Sequence, residues 1–222
     1  MITVSEFYNE LEKLHQTGDL VACEKYILKE IGLNKMCCGN ISPIDIAGNN
    51  ELGRIYLEQG KTEDALIHYQ EACNLTKRQM GEDSLEYASA LRNLADTKHK
   101  NGDVKEAYKL IKKAVEILEK IGGKETAFYS FTLSDAAMIA ASDGEMDNAC
   151  RYLSLAAEAA EKAGMRADSK ALVNGNLGMC LLKAGNTEAA KAALTKATAY
   201  ADEIPNGRDR LAPLYKALAS LQ

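Results

Sequence analysis

Five short or medium polar side chains recur at one position of a repeating pattern in this sequence. They are Asn9, Glu51, Asn93, Asp135 and Asn176, which are 42, 42, 42 and 41 residues apart. The asparagines are the informative members, because a side-chain amide has two donors and an acceptor and can pair with the N–H and the C=O of a peptide backbone. A row of such amides could hold an extended segment whatever its sequence, with pockets that read its side chains. The alternative is that the amides cap helices or bridge neighbouring repeats.

The three histidines, a residue type that often catalyses reactions or binds metals, do not cluster in the repeat pattern. His15, His68 and His99 fall in different repeats, and two repeats separate the first from the last. At about 10 Å per helix layer that separation is roughly 20 Å, too far to share a proton or a metal ion. The sequence contains no GxSxG, P-loop, HExxH or dinucleotide-binding motif. We therefore predict that the protein is not an enzyme and has no cofactor and no metal site.

The six cysteines predict ordinary reduced thiols. Cys37 and Cys38 are adjacent in an expected connection, which is the wrong spacing for a zinc site, and the sequence has no CxxC pair. The remaining four fall inside helical segments, where free cysteine is a small buried apolar group: Cys23, Cys73, Cys150 and Cys180.

Composition and charge narrow the class of partner. The chain has 222 residues, a net charge of −5 and few aromatic residues, with no tryptophan. An acidic chain of this kind is a poor candidate for nucleic acid binding, which usually needs a basic face. No stretch approaches the roughly 18 apolar residues that cross a bilayer, and the start lacks the charged and apolar regions of a secretion signal. We expect a cytoplasmic protein without a membrane or nucleic acid partner.

Five glycines recur with the same period, and they mark the helical elements that must position these side chains. Gly18, Gly60, Gly102, Gly144 and Gly185 each end one helix-like run and open another, at spacings of 42, 42, 42 and 41 residues. Because a single helical hairpin cannot bury its apolar face, such a repeat predicts hairpins stacked into one elongated domain over residues 1–222. The expected repeats are 4–40, 43–82, 84–123, 125–165 and 167–204.

Two positions of the repeat predict how its helices pack. The residue seven before each glycine is small in four of five copies: Leu11, Gly53, Ala95, Ala137 and Gly178. The residue nine after it is large and apolar: Ile27, Tyr69, Ile111, Leu153 and Leu194. A small residue allows two helices to approach closely, so these positions are interpreted as core. The segment 208–221 has an amphipathic pattern and is predicted to be a single helix that caps the last repeat.

These residues resemble the tetratricopeptide repeat family. Leu52-Gly53-x-x-Tyr56 and the following Gly60, Ala65, Tyr69 and Ala72 match its pattern, and the 42-residue period is similar to that of the kinesin-light-chain variety. The resemblance is strongest over residues 48–120 and weakest in the first repeat, which is a degenerate repeat or a cap. It implies an all-α, right-handed α-solenoid of about five helix-turn-helix repeats with a C-terminal capping helix.

In that family the first helices of successive hairpins line a concave groove, which implies a binding surface for this chain. Around the first three repeats the implied lining is polar and includes Asn9, Asn50, Glu51, Arg54, Arg92, Asn93 and Asp96. Around the last two it contains Phe131, Asp135, Met138, Leu172, Asn176 and Met179. The pattern suggests a ligand with a charged stretch and an apolar anchor, although the last helix could instead fold over the apolar side chains. Gly175, within a first helix, would allow close approach of either a ligand backbone or a neighbouring helix.

Two functions remain open at the level of sequence. The first is a non-catalytic adaptor or regulatory module that holds an extended segment or helix of a protein or peptide partner in the groove. The second is a structural assembly subunit that self-associates, or packs permanently on one partner, through its outer face and terminal helix. A family-type clamp for a C-terminal carboxylate is not expected, since Glu12 and Asp135 occupy positions where it needs cations. Exposure of the apolar groove residues would favour the first function.

Overall fold

The computed structural model describes residues 2–38 and 41–221, and over these residues the chain is helical, with no strand. The chain divides into two compact units, residues 1–110 and 111–222, with the boundary inside α6. The helices are α1 (Val4–Gln16), α2 (Leu20–Cys38), α3 (Pro43–Glu58), α4 (Thr62–Met80), α5 (Leu85–Lys100), α6 (Val104–Lys120), α7 (Ala127–Ser142), α8 (Met146–Lys162), α9 (Ala167–Lys183), α10 (Thr187–Asp202), α11 (Gly207–Arg210) and α12 (Ala212–Ala219). A short 3-10 helix, Gly123–Glu125, precedes α7.

The five periodic glycines form the turn inside each predicted hairpin. All of them have a left-handed backbone, with φ of 73° at Gly18 and Gly60, 89° at Gly102, 84° at Gly144 and 79° at Gly185. A residue with a Cβ atom is strained in this region, which explains why glycine recurs there. The small residue five positions later is fully or almost fully buried in every copy: Cys23, Ala65, Ala107, Ala149 and Ala190.

The predicted small and large positions interlock in two of the hairpins. A Cβ atom on Gly53 would lie 2.7 Å from the ring of Tyr69, and one on Gly178 would lie 2.6 Å from Cγ of Leu194. Each glycine therefore receives the large side chain of the following helix directly against its backbone. The sequence pattern predicted close approach of two helices at the small position, and this contact brings the two helices of a hairpin together.

Unit 1 has a core that runs from α1 through α3. Phe7 is fully buried and its ring stacks on that of Tyr26 at 5.6 Å, while Cys23, Ile27 and Leu52 lie in the same cluster. Ser42 caps α3, since its hydroxyl accepts a hydrogen bond from the backbone N–H of Asp45. The first repeat is expected to end near residue 40, and residues 39–40 lie outside the described part of the chain.

One sequence-based expectation in unit 1 is wrong. Cys37 and Cys38 were expected in a connection, but α2 continues through both of them. The run from Leu20 to Cys38 lacks proline, and Gly32 does not interrupt it because its backbone stays in the helical region, without positive φ.

Unit 2 ends differently from the expectation. The segment predicted to be one capping helix is two helices, α11 and α12, which are separated at Leu211. Pro213, near the start of α12, has no N–H to donate and its ring would clash with a preceding carbonyl in a continuous helix. The capping contact itself is present, because Leu214 packs in one cluster with Leu194 and Ala197 of α10.

The contact at Gly178 provides a test of the packing. We expect Gly178→Ala to lower the free energy of unfolding by about 1–3 kcal/mol, because the new methyl group meets Leu194 in a filled core. Gly32→Ala is the matched control: Gly32 is also helical but has nothing within 4 Å of its missing Cβ. That change should stabilise the helix by up to about 1 kcal/mol. Urea unfolding measures both, and equal effects of the two substitutions would contradict the interlocked packing.

Candidate partner-binding groove

A groove with a volume of about 510 Å³ lies within unit 2. Its two walls are the first helices of consecutive hairpins, α7 and α9, and its base is formed by residues of α8. Ala149 and Leu153 at the base are buried. The groove is therefore a feature of the helical stack, and it lies where the sequence resemblance implied a concave surface.

Helical spacing explains which side chains form the walls. From α7 they are Phe131, Ser134, Asp135, Met138 and Ala141, and from α9 they are Ser169, Leu172, Asn176, Met179 and Lys183. Steps of three and four residues place each set on one face of its helix. All six groove residues that the sequence indicated for the last two repeats lie in this lining.

Four large apolar side chains in the walls are exposed to solvent. The exposed fraction is 42% for Phe131, 46% for Met138, 54% for Leu172 and 39% for Met179. Such a concentration of exposed apolar surface is typical of interaction sites, since isolated proteins seldom leave large contiguous apolar patches uncovered. Methionine side chains are flexible and polarizable, so this surface can adapt to partners of different shape.

The C-terminal helix leaves these four side chains exposed. Leu214 of α12 instead fills the space beside Gly175, where a Cβ atom would lie 2.7 Å from Cδ1 of Leu214. Of the two explanations for Gly175, the neighbouring helix is therefore the one that the structure contains. The last helix therefore does not cover Phe131, Met138, Leu172 or Met179.

The polar side chains of this groove lie on both walls. Asp135 is half-buried on α7, and Asn176 is exposed on α9. Within the described residues the Asn176 amide makes no hydrogen bond, whereas the amide of Asn174, on another face of α9, donates to the backbone carbonyl of Lys170 at 2.9 Å. The donors and the acceptor of Asn176 are thus available to an incoming chain.

A second, smaller cavity of about 260 Å³ adjoins the first, since Ser169 and Leu172 line both. Its other residues come from the start of α9 and from the C-terminal segment: Asp168, Ile204, Gly207, Arg210 and Leu211. Asp168 is paired with Arg166. The sequence did not indicate this cavity, because it depends on how the segment after α10 turns back.

The charged residues indicated for unit 1 are engaged in ion pairs. The Arg54 guanidinium contacts Glu51 at 2.7 Å, and it also pairs with Glu58 and with a ring nitrogen of His15 on α1. Asp96 pairs with Lys100 at 2.7 Å. Arg92 has a partner as well. These side chains are therefore less available to a ligand than their residue types suggested.

The amides of unit 1 differ from one another. The side chains of Asn9, which is exposed, and of Asn93, which is half-buried, make no hydrogen bond within the described residues. Oδ1 of Asn50 is buried and has no hydrogen-bond partner there. The Asn49 side chain is instead hydrogen-bonded within the protein, since its amide donates to the carbonyl of Asp45 at 2.8 Å.

The side chain of His68 is held by contacts with other side chains of unit 1. His68 Nδ1 lies 2.9 Å from Oδ1 of Asn49, and its ring stacks on Tyr56 at 5.4 Å. Burial lowers the pKa of His68, so the ring is neutral at pH 7. Burial and the nearby Glu51 carboxylate raise the pKa of Tyr69 to about 12, which keeps its hydroxyl protonated. Among the described residues no cluster of three or more metal-ligating side chains occurs, and no helix is long and apolar enough to cross a membrane.

Sequence reasoning missed several residues of the groove. Ser169 and Lys183 could have been found by continuing the steps of three and four from Leu172 and Met179 along α9. Met146 and Cys180, at the base, could not, because they come from different helices and meet only in the folded structure.

Two segments of the chain match family models that describe tetratricopeptide repeats, residues 45–120 and residues 171–203. The chain contains tetratricopeptide repeats. The first match coincides with the segment where the sequence resemblance is strongest. The all-α solenoid predicted for the repeats is also confirmed.

Several solved structures show the same fold. The nearly identical TPR-like repeats of a kinesin light chain from Podospora anserina are 17% identical, with a TM-score of 0.74, and the match covers 89% of this chain and 94% of that one. BtubC (BKLC) from P. vanneervenii is 17% identical, with a TM-score of 0.80 over 89% of this chain and 79% of its own. The apo form of RapI is 13% identical, with a TM-score of 0.74, covering 97% and 83%. Comparison with curated protein sequences finds no match.

The exposure of the groove makes a prediction about stability. We expect Met138→Ser and Leu172→Ser to change the free energy of unfolding by less than about 1 kcal/mol, because about half of each residue's surface is already exposed to solvent. Leu133→Ala, at a fully buried position of α7, should cost about 2–5 kcal/mol. Thermal and urea unfolding distinguish the two classes. If the two groove substitutions destabilised the protein as much as Leu133→Ala, this face would have to be covered within the protein itself.

Proposed function

We propose that the protein is a non-catalytic adaptor or regulatory module that holds an extended segment or a helix of a protein partner in the groove between α7 and α9. The observation that supports this most is the set of four exposed apolar side chains that line one cavity. Stacked helical repeats commonly use such concave surfaces to bind protein segments. A cytoplasmic location fits the acidic net charge and the buried free cysteines.

The apolar side chains would supply most of the binding free energy. Each is already about half covered, so complete burial would contribute about 1 kcal/mol per side chain. Four such contacts offset only part of the free-energy cost of the translational and rotational freedom that is lost on association. A partner therefore needs at least one large apolar side chain that enters the cavity fully, as an anchor.

The Asn176 amide would fix the direction and register of the bound segment. Its N–H groups and carbonyl can pair with one peptide unit of the partner without reading the side chain there. Asn93 and Asn9 would do the same on α5 and α1, with Asn50, Arg92 and the ion-paired Glu51, Arg54 and Asp96 beside them. In this arrangement sequence preference comes mainly from the apolar anchor.

Binding of the native partner tests the proposal. A protein captured from the native lysate is purified, and its affinity is measured by calorimetry with wild type and variants. Leu172→Glu should weaken binding by roughly 10- to 100-fold, because it places a charge in the apolar wall. Asn93→Ala combined with Asn176→Ala should weaken it by roughly 10-fold, from two lost neutral hydrogen bonds.

Ile67→Glu is the matched control, because Ile67 is an exposed apolar residue of α4, in unit 1, with 65% of its surface accessible. It should leave the affinity unchanged. A partner whose affinity falls with Ile67→Glu and not with Leu172→Glu would contradict groove binding. It would indicate instead a structural subunit that assembles through another face.

A further inference from the structure

Two buried thiols meet below the groove. Sγ of Cys150 on α8 lies 2.7 Å from Sγ of Cys180 on α9, although the two residues are 30 positions apart in the chain. Both cysteines are free. A disulfide bond is about 2.05 Å long, so the sulfur atoms need to approach by only roughly 0.7 Å to be joined. The sequence predicted separate apolar thiols and did not predict this pair.

The pair adjoins the groove, from which we expect a small oxidant to reach it. Cys180 is part of the groove lining, as are Met146 and Ala149 on the preceding helix. The thioether of Met146 lies 3.7 Å from Sγ of Cys180. The remaining described cysteines, Cys23 and Cys73, belong to unit 1, where Cys23 is fully buried.

We propose that Cys150 and Cys180 form a reversible disulfide that joins α8 to α9 at the base of the groove. With hydrogen peroxide as the oxidant, one thiolate attacks the O–O bond and becomes a sulfenic acid, with release of water. The other thiol then displaces the sulfenic hydroxyl as a second water, and the S–S bond forms. Two thiols lose two electrons and two protons, and one peroxide accepts them.

The surroundings of Cys180 decide how readily this happens. Burial and the adjacent Cys150 thiol raise the pKa of Cys180 to about 12, while the positive charge of Lys183 acts weakly in the opposite direction. Since the thiolate is the nucleophile, the reduced pair is slow to react at neutral pH. The bond therefore responds to sustained oxidation and is not a fast peroxide sensor.

Peptide mapping of the oxidised protein tests the proposal. The folded full-length chain is incubated with hydrogen peroxide, free thiols are blocked with an alkylating reagent, and the protein is digested with trypsin without reduction. Cys150 and Cys180 fall in separate tryptic peptides, residues 125–151 and 171–183, and each peptide contains one cysteine. We expect these two peptides to be linked and to lack two hydrogens, with separation on addition of dithiothreitol.

A second readout follows stability. Closing a loop of this length should raise the Tm of the oxidised protein by roughly 5–10 °C, and dithiothreitol should reverse the rise. Cys150→Ala and Cys150→Ser should both abolish the linked peptide and the rise in Tm, while Cys23→Ala should keep both.

The proposal is overturned if both cysteines remain open to alkylation after denaturation of the oxidised protein, or if they are oxidised to sulfonic acid without linkage. Linkage of either cysteine to a different residue would also overturn it. None of these outcomes depends on partner binding, so the test is independent of the function proposed for the groove.

Discussion

Close approach of α9 to α10 and α12 depends on residues that lack a side chain, and the groove depends on that approach. Gly178 receives Leu194 of α10, and Gly175 receives Leu214 of α12, so one face of α9 is fully occupied by its neighbours. Helical periodicity then turns Leu172, Asn176 and Met179 to another face, where they line the groove. The proposed binding surface is thus the part of α9 that packing leaves uncovered.

The two units distribute polarity differently. In unit 1 the charged residues of α3 and α5 pair within their own helices, as Arg54 does with Glu51 and Asp96 does with Lys100. Exposed pairs of this kind contribute little to stability, but they satisfy charges that would otherwise attract a ligand. In unit 2 the walls of the groove expose large apolar side chains, among them Phe131 and Leu172. This contrast favours an apolar anchor in unit 2 as the main determinant of binding.

Much of the fold could be predicted because a turn with a left-handed backbone favours glycine, so the turns are visible as glycines in the sequence. The spacing of Gly60 and its equivalents gave the hairpins, and helical arithmetic from them gave the groove residues on α7 and α9. The break before α12 could have been predicted as well, from Pro213. The exposure of Leu172 could not, since the same pattern allows the terminal helix to cover it. The contact of Cys150 with Cys180 could not be predicted from the sequence either, because it depends on how two helices pack.

The central claim is that a partner occupies the groove between α7 and α9, and methyl NMR of the methionines tests it most directly. The chain has seven methionines, of which Met138, Met146 and Met179 line the groove, while Met36 and Met80 are exposed on α2 and α4. With ¹³C-methyl methionine and assignment by Met→Leu substitution, saturating partner should shift or broaden the signals of Met138 and Met179. The signals of Met36 and Met80 should stay in place. Shifts confined to Met36 and Met80 would contradict the account and place the partner on another face.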